Sequence, residues 1–261
     1  MDLLLFRLYG PLASWGEIAV GESRHSANYP SKSAILGLVG AALGIERSDE
    51  AQQAGLQNGY QVAVEVFSTG QLLRDYHTAQ VPDSAGKFVY RTRRDELVLG
   101  KERLGTILSS REYRSDALAV VALRALPGAS FSLAQIEEKL RKPVFHLYLG
   151  RKSCPLAAPL NPQLLTEQTD LLSAFKAYSH KPLLPRKQAD GEAGKPVQQD
   201  ASWLNAGGER HYYWEGEPQD FADDIDLLQR RQTRVRHDQP LSRKRWQFAP
   251  RQEHYFYQGG E

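Results

Sequence analysis

The chain is poor in reactive sulfur. One cysteine, Cys154, stands in 261 residues, so no disulfide can close within it. One thiol cannot build a cysteine-rich zinc site, and the seven histidines form no HxxxH or HExxH pair. No G-x-S-x-G elbow and no Walker sequence occurs. Long apolar runs are missing too. The start, MDLLLFRLYG, is broken by Arg7 and lacks the basic lead-in of a secretion signal, and no later stretch is long enough to span a bilayer. These absences exclude a disulfide scaffold, a zinc-centred enzyme and a nucleotide-binding P-loop. They lead to the expectation of a cytoplasmic protein with no metal, cofactor or membrane contact.

Excess charge of one sign is also missing, because the formal net charge is only +2. Its distribution carries more. From Arg230 to Arg251 the sequence holds Arg230, Arg231, Arg234, Arg236, Arg243, Lys244, Arg245 and Arg251, against Asp238 as the only acid. A second basic stretch contains Lys87, Arg91, Arg93, Arg94, Lys101 and Arg103. Segregated positive charge is the electrostatic footprint of a phosphate-binding face, or else a solvated surface.

Apolar periodicity predicts strands over residues 3–9, 60–67, 117–126 and 144–149. Ser31 reads as the N-cap of a helix running through SAILGLVGAALGI, whose Gly37, Gly40 and Gly44 suggest close packing on a sheet. Ser132 with Gln135 forms a capping-box pattern for a second helix, which ends before Pro143. Residues 17–29 read as a loop, 107–116 as a short helical piece, and 170–178 as a helix. Residues 74–110 are charged and thinly apolar, and they read as a projecting β-hairpin arm with strands near 87–94 and 96–100. The order strand, helix, strand, arm, strand, helix, strand permits an α+β, ferredoxin-like (split βαβ) fold. The expected division is a body over 1–160 and a smaller β-rich region over 161–261, with a mobile loop near 180–208.

Two stretches concentrate binding chemistry where strands end. GPLASWG at 10–16 offers Trp15, placed either to stack on a base or to plug the rim of the core. YLGRKSCPL at 148–156 offers Gly150 for an unusual backbone, adjacent cations Arg151 and Lys152, and the hydroxyl of Ser153, much like an anion-binding nest. Cys154 in that loop reads as a small packed side chain. Arg24, Lys32 and Ser33 flank a helix N-terminus, where amide N–H groups favour a phosphate. Arg91 and Arg93 alternate as on one face of a strand. For catalysis, Tyr76-His77 beside Arg74, or His25 with Lys32, offer the base, acid and cation that metal-free RNA cleavage needs.

Several blocks together resemble the CasD family of CRISPR Cascade subunits, type I-E, in the RAMP superfamily. They are LFRLYGPLASWG from Leu5, YPSKSAILGLVGAALGI from Tyr29, LRDYHT from Leu73, SREYRSDALAVVAL from Ser110, KPVFHLYLGRKSCPL from Lys142 and PRQEHYFYQGG from Pro250. They fall in order along nearly the whole chain, and the match is weakest over 167–208. The resemblance implies a ferredoxin-like RNA-recognition body with a β-hairpin thumb near 77–110. It implies a non-catalytic protein that holds the 5′ handle of the CRISPR RNA and caps one end of the Cascade filament. Its neighbours would be the repeating backbone subunit and the large PAM-reading subunit, with target DNA met indirectly through the guide. By the same resemblance, Arg24, Lys32, Ser33, Arg74, His77, Arg111, Gly150, Arg151, Lys152 and Ser153 would contact handle phosphates and splayed bases. Relatives in type I-C cut RNA, so a metal-independent CRISPR repeat endoribonuclease is the alternative.

Overall fold

A computed structural model describes residues 1–19, 21–83, 89–98, 101–180, 208–242, 245 and 247–259. The first strand, β1 (Leu3–Tyr9), is apolar along its whole length because both of its faces are covered. Leu4, Phe6 and Leu8 join one buried cluster; Leu3 and Leu5 join a second on the opposite side. Burying side chains of this size stabilises the fold by about 1.5–3 kcal/mol each. The same alternation governs β4 (Tyr60–Ser68) and β7 (Leu118–Ala125). Val62, Val64, Val121 and Leu123 face the first cluster, while Ala63, Val120 and Ala122 face the second.

Between β1 and β4 run β2 (Leu12–Ala13), β3 (Ser23–Arg24), α1 (Lys32–Leu43) and α2 (Glu50–Gly59). Ser31 caps α1 as its sequence predicts, accepting the Ala34 amide at 3.3 Å. Gly44, in the left-handed region at φ 81°, ends it. Gly40 lies against Leu56 of α2 and Gly44 against Val144, rather than against the sheet, which corrects the packing expected for these two glycines. After β4 the chain forms β5 (Gln71–Pro82), α3 (Arg93–Val98), a 3-10 turn at Lys101–Arg103 and β6 (Leu104–Ser115). Helix α4 (Leu133–Arg141) follows β7, with the complete Ser132–Gln135 capping box. Then come β8 (Gln163–Leu165), α5 (Leu171–Ala177), β9 (Arg210–Trp214), α6 (Ile225–Arg230), β10 (Gln232–Ser242) and β11 (Gln247–Gln258).

The main sheet has seven strands in the order β10-β11-β9-β4-β7-β1-β8, antiparallel throughout. The strands from the last third of the chain therefore continue the sheet from the outer edge of β4. A second, smaller sheet is built on β6, which pairs with β5 along one edge and with β3 and β2 along the other. The fold is thus α+β and mostly antiparallel. Among the described residues no helix is long and apolar enough to cross a membrane.

Three expectations are corrected. The arm is a β-ribbon, but its strands pair Gln71–Pro82 with Leu104–Ser115, and Arg93–Val98 is helical. Residues 107–116, read as helical, lie almost wholly in β6. Residues 144–147 are not a strand: the Val144 and Phe145 amides donate to the Ala42 and Ala41 carbonyls at the end of α1, at 3.0 and 3.1 Å. Those amides satisfy orphan helix carbonyls, so they are not free for a sheet. The expected mobile loop near 180–208 lies largely outside the described residues, as do parts of the expected strands at 87–94 and 96–100.

Candidate nucleic-acid interface

The two signature loops meet. The Ser14 amide donates to the Leu149 carbonyl at 3.0 Å, and the Leu149 amide donates to the Cys154 carbonyl at 2.8 Å. Gly150 has φ +84°, and a Cβ there would lie 1.9 Å from the Ser14 carbonyl oxygen. Both facts demand glycine. The tight approach leaves Lys152 and Ser153 exposed and Arg151 half-buried. Arg151 Nη1 donates to the Tyr113 hydroxyl at 3.3 Å, and its guanidinium lies 5.0 Å from that ring's centroid. The loop is thereby fastened to β6 at the root of the ribbon.

The same root carries other predicted cations. Arg24 of β3 pairs in register with Arg111 of β6, and both are exposed. Arg74 of β5 stands opposite Glu112 and donates to its Oε1 at 2.9 Å. Glu112 also accepts the Ser26 amide on Oε2 at 3.3 Å, and His25 Nδ1 lies 3.3 Å from Oε1. Burial opposes ionisation of Glu112. The Arg74 hydrogen bond, with those from Ser26 and His25, outweighs it and holds the carboxyl below the usual range. A carboxylate amid cations does not bind phosphate; here it fixes the directions of three donors. Sequence reading missed it because its partners lie 38 to 87 positions away along the chain.

Comparison with known proteins identifies the family. Residues 3–253 match the model of the family described as CRISPR-associated protein (Cas_Cas5). The chain belongs to that family. It is 37% identical over 167 residues to the CRISPR system Cascade subunit CasD of Escherichia coli (strain K12), covering 60% of this chain and 68% of that one. In fold it is similar to a chain of a solved "CRISPR RNA-guided surveillance complex". That match has a TM-score of 0.59 and 24% identity over 99% of this chain and 90% of the other. It is also similar to a solved "Cas protein", with a TM-score of 0.51 and 24% identity over 98% of this chain and 92% of that one.

The remaining predicted residues of this family member lie apart. Trp15 is 5% exposed and belongs to the core cluster, so its ring plugs the core and offers no stacking surface. Lys32 is turned inward. Its Nζ donates to Glu215 at 2.8 Å, and its amide donates to Asp238 at 3.0 Å, so a carboxylate of the chain itself occupies the α1 N-terminus. This corrects the phosphate site expected there. Ser33 exchanges a 3.0 Å hydrogen bond with the Ser31 hydroxyl. Arg93 bonds Glu96 and the Gln80 carbonyl at the ribbon tip, where Arg91 is exposed; the two do not share a strand face. His77 contacts Asp75. Strand alternation puts His77 on the face of β5 opposite Arg74 and Tyr76, which separates the trio considered for RNA cleavage. His25 with Lys32 fails as well, since Lys32 is committed to Glu215.

Two cations of the C-terminal basic strip, Arg251 and Arg236, are also turned inward, whereas Arg230, Arg234 and Arg245 are exposed. Arg251 bonds Asp238 at 2.6 and 2.9 Å and Glu253 at 2.6 Å, and it lies 3.3 Å from Glu215. Arg236 donates to the Tyr29 hydroxyl at 2.8 Å, and that hydroxyl donates to Glu253. This buried network ties β10 and β11 to the start of α1. Among the described residues no group of three or more His, Cys, Asp or Glu side chains is arranged to hold a metal ion.

Proposed function

We propose that this protein is a CRISPR RNA-binding subunit of a Cascade-type surveillance complex. It holds the 5′ handle of the guide, caps the backbone filament beside the large subunit, and does not cut the RNA. Family membership and the Cascade relative support this reading. One observation carries it to particular residues. The Gly150 loop, closed on Ser14, presents Arg151 and Lys152 beside the root of the ribbon, where Arg24, Arg111 and Arg74 are exposed. Amides, cations and hydroxyls on a rigid turn suit single-stranded RNA, whose phosphates are bound by charge and whose bases are splayed. The antiparallel order β4-β7-β1-β8, with helices between β1 and β4 and between β7 and β8, supports a ferredoxin-like body that runs to β8 at Gln163–Leu165, just past the expected boundary at 160. On this reading the β5–β6 ribbon is its thumb and the strands from β9 onward are the added β-rich region.

Filter binding with handle-bearing RNA tests the proposal. Replacing Arg151 and Lys152 with alanine is expected to lower the salt slope by about 1.4, at about 0.7 per phosphate contact on a single strand. Equal affinity for RNA with and without the handle would remove the reading. Incubation with repeat RNA in EDTA tests the alternative: a single cut, lost in His77→Ala, would replace a binding subunit with a nuclease.

A further inference from the structure

The register of the smaller sheet sets six side chains on one face in two rows. Ser23 of β3, Ser110 of β6 and Tyr76 of β5 form the first row. His25, which follows β3, with Glu112 and Arg74 forms the second. The opposite face carries Arg24, Arg111 and Asp75. In the second row the carboxylate is the buried member, while the groups it holds project outward. The Arg74 side chain is 62% exposed and that of His25 is 61% exposed. Tyr76 is 62% exposed in the neighbouring row. Among the described residues, no aromatic ring stacks on Tyr76 and no cation lies over it.

A large aromatic ring left bare on a rigid sheet beside a fixed guanidinium and an imidazole matches one ligand chemistry. A nucleobase has a π-face for the ring and polar edges for the donors around it, and an unstacked base of a single strand offers both. The geometry points to this face as the seat of one unstacked nucleobase of the bound RNA, with Tyr76 as the stacking platform and Glu112 as the positioning residue that aims Arg74 and His25. This inference rests on the RNA-binding reading above and divides its labour. Arg24, Arg111 and the Gly150 loop take backbone charge; the Tyr76 face takes a base.

The test uses the full chain, handle-bearing RNA and a series of the same RNA with one abasic position each. Tyr76→Ala should weaken binding about 5- to 150-fold, the range of one base–aromatic stack, without changing the salt slope. Tyr76→Trp should keep wild-type affinity. One abasic position should abolish the difference between Tyr76→Ala and wild type, because the lost stack is then absent from both. Glu112→Gln should weaken binding to the intact RNA, and that penalty should shrink on the same abasic RNA. Thermal melting serves as the control for folding, since a 62% exposed ring contributes little to the core. Wild-type binding with a silent Tyr76→Ala would overturn this inference and leave the RNA-binding reading standing. A penalty of equal size on every abasic RNA, or one confined to assembly with partner subunits, would also overturn it. No binding by the wild type would end both.

Discussion

Replacing Arg251 with methionine removes the cation shared by Asp238, Glu215 and Glu253. The three side chains and the guanidinium are all about nine-tenths buried or more, so water cannot replace the lost partner. Lys32 and Arg236 remain, but they already serve Glu215 and Tyr29. Removing one partner of a buried ion pair costs about 3–5 kcal/mol. At about 2–4 °C per kcal/mol for a chain near this size, the melting temperature should fall by about 6–20 °C. The pH dependence has a definite sign. Burial opposes ionisation of Asp238, but the Arg251 hydrogen bonds and charge hold its carboxyl below the ordinary range. In the wild type that stabilisation is present above the ordinary aspartate range and is lost as pH falls through the folded value. In the variant Asp238 becomes a buried anion that has lost its hydrogen-bonded cation, and its folded pKa rises. The gap between variant and wild type should therefore be widest at neutral pH and narrow in mild acid. Urea melts at the two conditions measure it. A loss below about 1 kcal/mol at neutral pH, or a gap of the same size in acid, would refute the claim that Arg251 is a structural cation.

Gly150→Ala meets both a left-handed backbone and the Ser14 carbonyl, and it should cost about 2–5 kcal/mol by thermal melting, with handle affinity falling in parallel. A variant as stable as wild type would show that the loop does not close on Ser14. Glu65 is pushed up to about 7 from 4.5 by burial, against the Tyr212 hydrogen bond and the Arg210 charge. A raised acid loses folding stability as pH climbs from the ordinary value to the folded one. Glu65→Gln should thus match wild type in mild acid and exceed it above neutral pH, by about 3 kcal/mol at most; a pH-independent difference in denaturant melts would contradict this. Trp15→Ala should destabilise by about 3–5 kcal/mol, as expected for a core aromatic, and a variant that loses RNA affinity with unchanged melting would restore a stacking role.

The parts of the fold legible in the sequence are those whose own residues decide them. The alternation in Leu3–Tyr9, Tyr60–Ser68 and Leu118–Ala125 survives because both faces of these strands are buried. Ser31 and Ser132 cap helices through neighbours three residues on. Helix α2 left little periodic signal, since only Leu56, Gln57 and Gly59 are buried in it; its readable mark was Asp49, which accepts the Gln52 amide at 3.0 Å. Strand β6 was misread because much of its length is exposed on both faces, so no face demands apolar residues. At the site, Gly150 was legible because a positive φ selects its residue type. Lys32 was not, because the carboxylates that claim it come from Glu215 and Asp238, nearly two hundred residues downstream or more.

The lone thiol has a practical use. Cys154 is fully enclosed and its acidity is suppressed by burial, so it should stay silent toward maleimides while the chain is folded. A cysteine introduced at an exposed ribbon position, such as Ile107, would then be the sole reactive sulfur and would accept a single fluorophore with no background to engineer away. The polarisation of its emission would then report whether the ribbon moves when RNA is added.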